Sequence, residues 1–375
     1  MTGFAHGLVI GKFYPPHAGH EHLVRIAAAG ARRVTVVVMS SAADSIPLAE
    51  RVRWMRAIHA DGGNVHVTGL PCDIPFDLGD RTVWAAQVAG MRAAVQQVTS
   101  EPLDAVFTSE EYGDELAARL GATHVCVDPQ RVAVPVSATA CRADLAGLWD
   151  RLHPVVRAGL AVRIVVVGAE STGTTTLSRA LAEHYRARGG VWARTGWVHE
   201  HGRDYTVTKW DEQIAAARAA GRAAPGMDEL VWTADDFAVI ATRQTELEDA
   251  AAAAGSPVLV CDTDAFATSV WERRYLGADT GAAAASPLPR RDVYLLTDHV
   301  DVPFVQDGIR DGEHIRVDMT GWFVTALTRA GHSWVLLTGT REERLRLAVR
   351  VTDLALERRA RFTAPQTPHD GKVLA

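Results

Sequence analysis

Residues 8–20 read Leu8-Val9-Ile10-Gly11-Lys12-Phe13-Tyr14-Pro15-Pro16-His17-Ala18-Gly19-His20, and residues 21–29 follow with Leu23, Ile26 and Ala27 at helical spacing. An apolar run, a Gly/Pro-rich turn and an amphipathic stretch make the order strand, turn, helix. Such a turn offers backbone N–H groups and a helix N-terminus to a phosphate. This one adds two imidazoles three positions apart, His17 and His20, across the small pair Ala18-Gly19. The small residues let a triphosphate approach the backbone, and the histidines can donate hydrogen bonds to its oxygens. That arrangement stabilises charge on a phosphoryl group in transfer without a protein nucleophile. The competing reading is an ordinary turn with two solvated histidines.

Outward from this turn, strand-like runs recur at 8–10, 34–39, 65–67, 105–108 and 125–127. Helical stretches separate them at 21–29, 48–59, 81–98 and 113–120. The alternation predicts an α/β fold, a parallel sheet covered on both faces, with ligands at the carboxyl ends of the strands. Further on, Val162-Arg163-Ile164-Val165-Val166-Val167 runs into Gly168-Ala169-Glu170-Ser171-Thr172-Gly173-Thr174-Thr175-Thr176 and an amphipathic stretch. Buried strand, glycine loop and helix form the context of a P-loop, whose N–H groups cradle ATP phosphates and whose hydroxyl meets Mg²⁺. The cation normally carried after Gly173 is replaced by Thr174. A second apolar strand ends in Asp262-Thr263-Asp264, two carboxylates placed to hold Mg²⁺ or orient a substrate hydroxyl.

At 375 residues the chain is long enough for two cores. The expected domains are 1–150 and 160–358, with a short connector between them and a disordered Pro/Thr/Gly-rich tail at 359–375. A mobile surface loop is expected at 275–290. The composition is globular, 47% hydrophobic and 22% charged, and the net charge of -6 argues against general nucleic-acid binding. Lysine occurs only at Lys12, Lys209 and Lys372, so Lys12 stands out within its turn. The four cysteines are scattered without metal-ligand spacing, as for buried thiols in a reducing compartment. No signal peptide or long apolar run is present, so a cytoplasmic protein without membrane contact is expected. The first strand begins almost at residue 1, so no helix-turn-helix is expected ahead of it.

These motifs carry a resemblance. Gly11 to His20 resembles the H-x-G-H signature of the nucleotidylyltransferase superfamily. Lys12-Phe13-Tyr14-Pro15 is similar to the bifunctional nicotinamide-mononucleotide adenylyltransferase / ribosylnicotinamide kinase family, the NadR type. Ser137-Ala138-Thr139-Ala140-Cys141-Arg142 resembles its second signature, with Cys141 where Ile or Leu is usual, and Phe107 to Gly113 resembles F-T-S-E-E-Y-G. Arg51 to Trp54 matches R-x-x-W, Glu200 to Tyr205 matches E-x-x-R-x-Y, and 306–310 resembles D-D-G-x-R with Gln306 in place of the first Asp.

The resemblance implies a Rossmann-like nucleotidylyltransferase domain followed by a P-loop kinase domain. In the first, His17, His20, Lys12 and Arg142 would act in adenylyl transfer, and Gly11, Phe13, Tyr14, Gly19, Ser137 and Thr139 would bind ATP. Trp54, Glu110 and Tyr112 would meet the mononucleotide, although Trp54 reads equally well as core. In the second, Gly168, Glu170, Ser171, Thr172, Gly173, Thr174, Thr175 and Thr176 would bind ATP. Thr175 and Asp262 would hold Mg²⁺, while Glu200, Arg203, Tyr205 and Asp264 would meet the riboside. Asp262, Arg310 and Arg316 would act in phosphoryl transfer, the arginines as a lid taking over the missing lysine's charge. The implied activity is phosphorylation of nicotinamide riboside, then adenylyl transfer from ATP to the mononucleotide, giving NAD and pyrophosphate. A phosphopantetheine adenylyltransferase / dephospho-coenzyme-A kinase fusion fits less well, since it carries T-x-G-H and keeps the P-loop lysine. The alternative is an active adenylyltransferase whose kinase-dead P-loop domain senses ATP or NAD. A homo-oligomer stays open.

Overall fold

A computed structural model describes residues 3–364 except 75, 76, 78, 278–280, 282–290, 308, 309 and 311, and except the side chain of 228. The chain divides into two compact units, Met1–Val156 with Ala360–Ala375, and Arg157–Arg359.

The first unit runs β1 (Phe4–Gly11), α1 (Ala18–Gly30), β2 (Ala31–Ser40), α2 (Leu48–Ile58), β3 (Val65–Pro71), α3 (Arg81–Gln96), β4 (Ala105–Thr108), α4 (Gly113–Leu120), β5 (Thr123–Cys126) and α5 (Ala138–Ala143), and α6 (Pro154–Leu160) carries the boundary. Its five strands are all parallel in the order β3-β2-β1-β4-β5. Side chains of β1 alternate between two cores. Val9 packs with Val24, Ala27 and Met55 on one face, and Leu8 and Ile10 pack with Trp84, Met91 and Leu116 on the other. A strand buried on both faces has no polar side to show, which is why these runs are continuously apolar. The strand order reverses between β1 and β4, and the crevice at such a switch point opens at the carboxyl end of β1, where Gly11 lies.

The second unit runs β6 (Val162–Gly168), α7 (Thr174–Arg186), β7 (Gly196–Val198), α8 (His201–Ala219), α9 (Ala234–Ala254), β8 (Val258–Asp262), α10 (Ala265–Leu276), β9 (Val293–Thr297), α11 (Arg316–Arg329), β10 (Trp334–Leu337) and α12 (Arg341–Ala360). Its sheet is again parallel, in the order β10-β9-β6-β8-β7. Val166 of β6 is in register with Asp262 of β8, so the loop after β6 and that carboxylate share one end of the sheet.

Three expectations need adjustment. The loop expected at 275–290 begins inside α10, which runs to Leu276, and its remainder lies largely outside the described residues. The tail expected from 359 starts later, because α12 runs to Ala360. Phe362 then meets Tyr14 edge-on at 5.7 Å and the Thr363 amide donates to Ser45 Oγ, while 365–375 lie outside the described residues. Cys141 and Cys261 are buried as expected, but Cys126, the last residue of the edge strand β5, is exposed. Among the described residues no helix is long and apolar enough to cross a membrane.

Candidate active sites

In the first unit, His17 is the N-cap of α1. Its Nδ1 accepts from the Gly19 amide at 3.1 Å, and Nδ1 of His20 accepts from the His17 amide at 3.3 Å, a capping box built from two histidines. The rings stack at 3.7 Å, and Phe13 lies 4.8 Å from His20. An imidazole whose Nδ1 accepts must carry its proton on Nε2. Both rings are therefore neutral Nε2–H donors. Burial pushes His17 down to about 4, with Arg131 and Arg142 adding to it, and His20 lies well below its ordinary value for the same first reason. The helix start, which needs its amides capped, thereby sets the tautomer the chemistry requires.

Three cations gather at the same turn. Lys12 is pulled below its ordinary pKa by burial, and its Nζ has no hydrogen-bond partner among the described residues. Arg142 donates to the Tyr14 carbonyl at 2.7 Å and to Thr139 Oγ1 at 3.0 Å, and Ser137 caps α5 by accepting from Ala140 at 3.1 Å. Arg51, fully buried, donates to the Lys12 carbonyl and pairs with Asp44 at 2.9 Å. The guanidiniums of Arg51 and Arg142 lie 5.1 and 5.3 Å from the Tyr14 ring. Tyr14 thus has a scaffolding part as well as its place in the turn. A cleft beside Gly11 and Lys12 is lined by Ser40, Trp84, Gln87 and Tyr112. Trp54 is not among its lining residues and is 1% exposed, the core position. Glu110 pairs with Arg131 at 3.1 Å. Arg131 carried no sequence signal, because its influence on both histidines arises from a loop distant in the chain.

In the second unit the loop from Gly168 to Gly173 closes on itself. Thr172 Oγ1 donates to the Ala169 carbonyl at 2.7 Å and meets Thr297 Oγ1 at 2.7 Å. A Cβ at Gly168 would stand 2.2 Å from that Thr297 oxygen, and Gly173 sits at φ 92, where a side chain is strained. The hydroxyls of Thr175 and Thr174 face Asp262 and favour its charged form, against burial, the larger effect, which raises its pKa. Thr175 and Asp262 are hard oxygen donors side by side, which suits Mg²⁺, an ion that takes one or two protein oxygens and completes its shell with phosphates and water. Among the described residues no group of three His, Cys, Asp or Glu gathers as a self-sufficient metal cage.

The cleft over this loop has a polar end and an aromatic end. Thr174, Thr175, Asp262, Glu200, Arg203 and Arg310 line the first. Burial raises Glu200 to about 7, helped by Asp262 and Glu170 and opposed by Arg203 and Arg310. Trp232, Phe237, Trp271 and Tyr275 line the second. The rings of Trp232 and Tyr275 stack at 5.1 Å and those of Trp232 and Phe237 lie 5.4 Å apart. Tyr205 stands behind this wall: its ring is tilted on Trp232 at 6.5 Å, and its hydroxyl and Lys209 Nζ, at 2.6 and 2.8 Å, both bond Asp236. The four aromatic residues were missed in the sequence because apolar side chains on helices read as core until a cavity is seen beside them.

Two predicted site residues are placed elsewhere. Asp264 is fully buried, caps α10 through the Ala267 amide at 2.8 Å and binds Arg291 and Tyr294, each at 2.8 Å. It does not line the cleft. It stands two residues beyond the end of β8, and Thr263 between the two carboxylates takes a left-handed φ of 75, which breaks the strand's alternation and turns Asp264 to the start of α10. Arg316, expected in a lid, donates instead to the Val302 carbonyl at 3.0 Å and the Ser171 carbonyl at 3.4 Å. Arg310 does line the cleft, bonding the Val305 carbonyl at 2.8 Å and standing 3.6 Å from Asp307, which also pairs with Arg203. Ser171 Oγ accepts from the Val305 amide at 2.8 Å, and Glu170 accepts from the Gly312 amide at 2.7 Å, tying this segment to the loop.

The family model described as an AAA domain matches residues 163–344. The trifunctional NAD biosynthesis/regulator protein NadR of Escherichia coli (strain K12) is 24% identical over 320 residues, which are 81% of this chain and 71% of that protein. The protein of the same name from Salmonella typhimurium (strain LT2) matches to the same extent. Among solved structures, a NadR protein in complex with NR superposes with a TM-score of 0.64 at 22% identity, covering 94% of this chain and 97% of the other. A NadR protein in complex with NAD and AMP-PNP gives 0.62 at 22% identity, covering 94% and 96%. With its two parallel-sheet units, its histidine turn and its P-loop, the chain is a homologue of the NadR proteins.

Proposed function

We propose that the chain makes NAD in two consecutive phosphorus transfers, the second unit phosphorylating nicotinamide riboside and the first adenylylating the resulting mononucleotide. The observation that carries this reading is the meeting, in one cleft, of the Thr175–Asp262 pair with a stacked aromatic wall. An aromatic face suits a planar pyridinium ring, through stacking and through attraction of its positive charge. The riboside 5′-hydroxyl then lies toward the carboxylates. It attacks the γ-phosphorus of ATP, ADP leaves, and a carboxylate at the polar end takes the proton. Thr175 and Asp262 would hold Mg²⁺, which neutralises charge on the β- and γ-phosphates.

In the first unit the mononucleotide phosphate attacks the α-phosphorus of a second ATP and pyrophosphate leaves. His17 and His20 donate from Nε2 to oxygens whose charge grows in the transition state, and Lys12 and Arg142 balance that charge. Positioning and charge account for both steps. The substrates are small molecules, so the reading places the enzyme in the cytoplasm without nucleic-acid or membrane partners.

Incubated with nicotinamide riboside, ATP and Mg²⁺, the chain should accumulate NAD. Asp262→Asn should abolish riboside phosphorylation alone. His20→Ala should slow only conversion of mononucleotide to NAD, by about 10²-fold or more. One observation favours a second reading, an ATP or NAD sensor: Thr174 is uncharged, its hydroxyl faces Asp262, and the first turn of α7 carries no cation. Wild type that converts mononucleotide but never phosphorylates riboside would establish the sensor.

A further inference from the structure

Three successive residues of the P-loop are each held by a different arginine. Arg274 pairs with Glu170 at 3.0 Å, Arg316 donates to the Ser171 carbonyl at 3.4 Å, and Arg344 donates to the Thr172 carbonyl at 3.1 Å. They come from α10, α11 and α12, helices far from the loop in sequence. Their charges are not equivalent. Arg274 is neutralised by Glu170, and Arg203 and Arg310 share Asp307. Arg316 and Arg344 have no carboxylate within ion-pairing distance among the described residues. They are 8% and 5% exposed and bond to main-chain carbonyls, of Val302, Ser171 and His299 for the one and of Gly339 and Thr172 for the other. Arg316 Nε and Arg344 Nη2 have no hydrogen-bond partner among the described residues. The carboxylates that act on them, Glu313 on Arg316 and Asp298 on Arg344, stand beyond ion-pairing distance. Two buried positive charges without a close carboxylate are unfavourable in a protein unless an anion offsets them.

We infer that the charge missing at Thr174 is supplied by Arg316 and Arg344, which hold the loop's carbonyls and lend their field to the phosphates the loop binds. A guanidinium bonded to a loop carbonyl does two things. It turns that carbonyl away from the ligand side, leaving the amides to face the phosphates, and it sets a full positive charge behind them. Both arginines are positioning residues, since they act through the loop. The inference rests on the reading of this cleft as an ATP site.

The test is a double-mutant cycle on the full chain, titrated with AMP-PNP and Mg²⁺ by calorimetry. Arg344→Gln and Arg316→Gln keep a donor for the carbonyl and remove the charge, and each should weaken binding about tenfold. Thr174→Lys should restore most of that loss in the Arg344→Gln background, with a smaller gain in wild type, the two changes being non-additive. Equal gains in both backgrounds would overturn the inference, as would glutamine variants that bind like wild type. A loss that the lysine fails to restore would mean the arginines act only as scaffolding, which also overturns it. Should the glutamine variants not fold, Thr174→Lys alone decides: a gain below about tenfold is expected, and one near a hundredfold would show the charge absent all along. Wild type that does not bind AMP-PNP would sink the ATP reading itself, a separate outcome.

Discussion

His17 and His20 are held neutral by burial, and the consequence for pH can be signed. In the unfolded chain a histidine protonates near pH 6.5; in the folded chain His17 does so only at about 4. Between those values the unfolded state binds the extra proton, so stability falls as the pH is lowered through this window. Denaturant unfolding of the full chain should therefore show the first unit losing up to about 3 kcal/mol between pH 6.5 and 4. His17→Gln should flatten that dependence; an unchanged slope would mean the acid sensitivity comes from other groups. Adenylyl transfer should likewise carry no imidazole limb near neutrality, since the donors needed are already the neutral rings.

At the scale of an element, α10 shows how a residue beside a site can belong to the scaffold. Asp264 caps its start, and the same carboxylate anchors Arg291, which reaches Glu248 on α9 at 2.5 Å. Removing it uncaps the helix and leaves Arg291 with one acidic partner fewer. Breaking a buried pair from one side costs about 3–5 kcal/mol. Asp264→Ala should lower the melting temperature of the second unit markedly, while the riboside KM of the protein that remains folded stays near wild type. A large KM effect with little loss of stability would return Asp264 to the substrate site.

At the scale of the whole molecule, each unit has its own sheet, its own cores and a complete set of candidate residues. Fragments Met1–Val156 and Arg157–Arg359 should therefore each fold and retain one reaction, adenylyl transfer in the first and riboside phosphorylation in the second. The first fragment should melt somewhat below the same unit in the full chain, because it lacks Phe362 against Tyr14. A folded but inactive fragment would mean that its site draws on residues of the other.

By itself the sequence determined the two parallel sheets, the turn at Gly11 to His20 and the loop at Gly168 to Thr176. These are local: apolar periodicity, glycine placement and helix caps act over a few residues, so adjacent letters suffice to specify them. Asp262 was legible for the same reason, as the last residue of an apolar strand. The aromatic wall, Arg131 beside the histidines and the arginines behind the P-loop were decided only by tertiary structure. Each joins elements distant in the chain, and an arginine on a helix reads the same whether it faces water or a carbonyl from a loop about 170 residues away. Asp264 and Arg316 have the residue types a site would use. What placed them in the scaffold was the direction in which their strand end and helix start turn them, which packing sets.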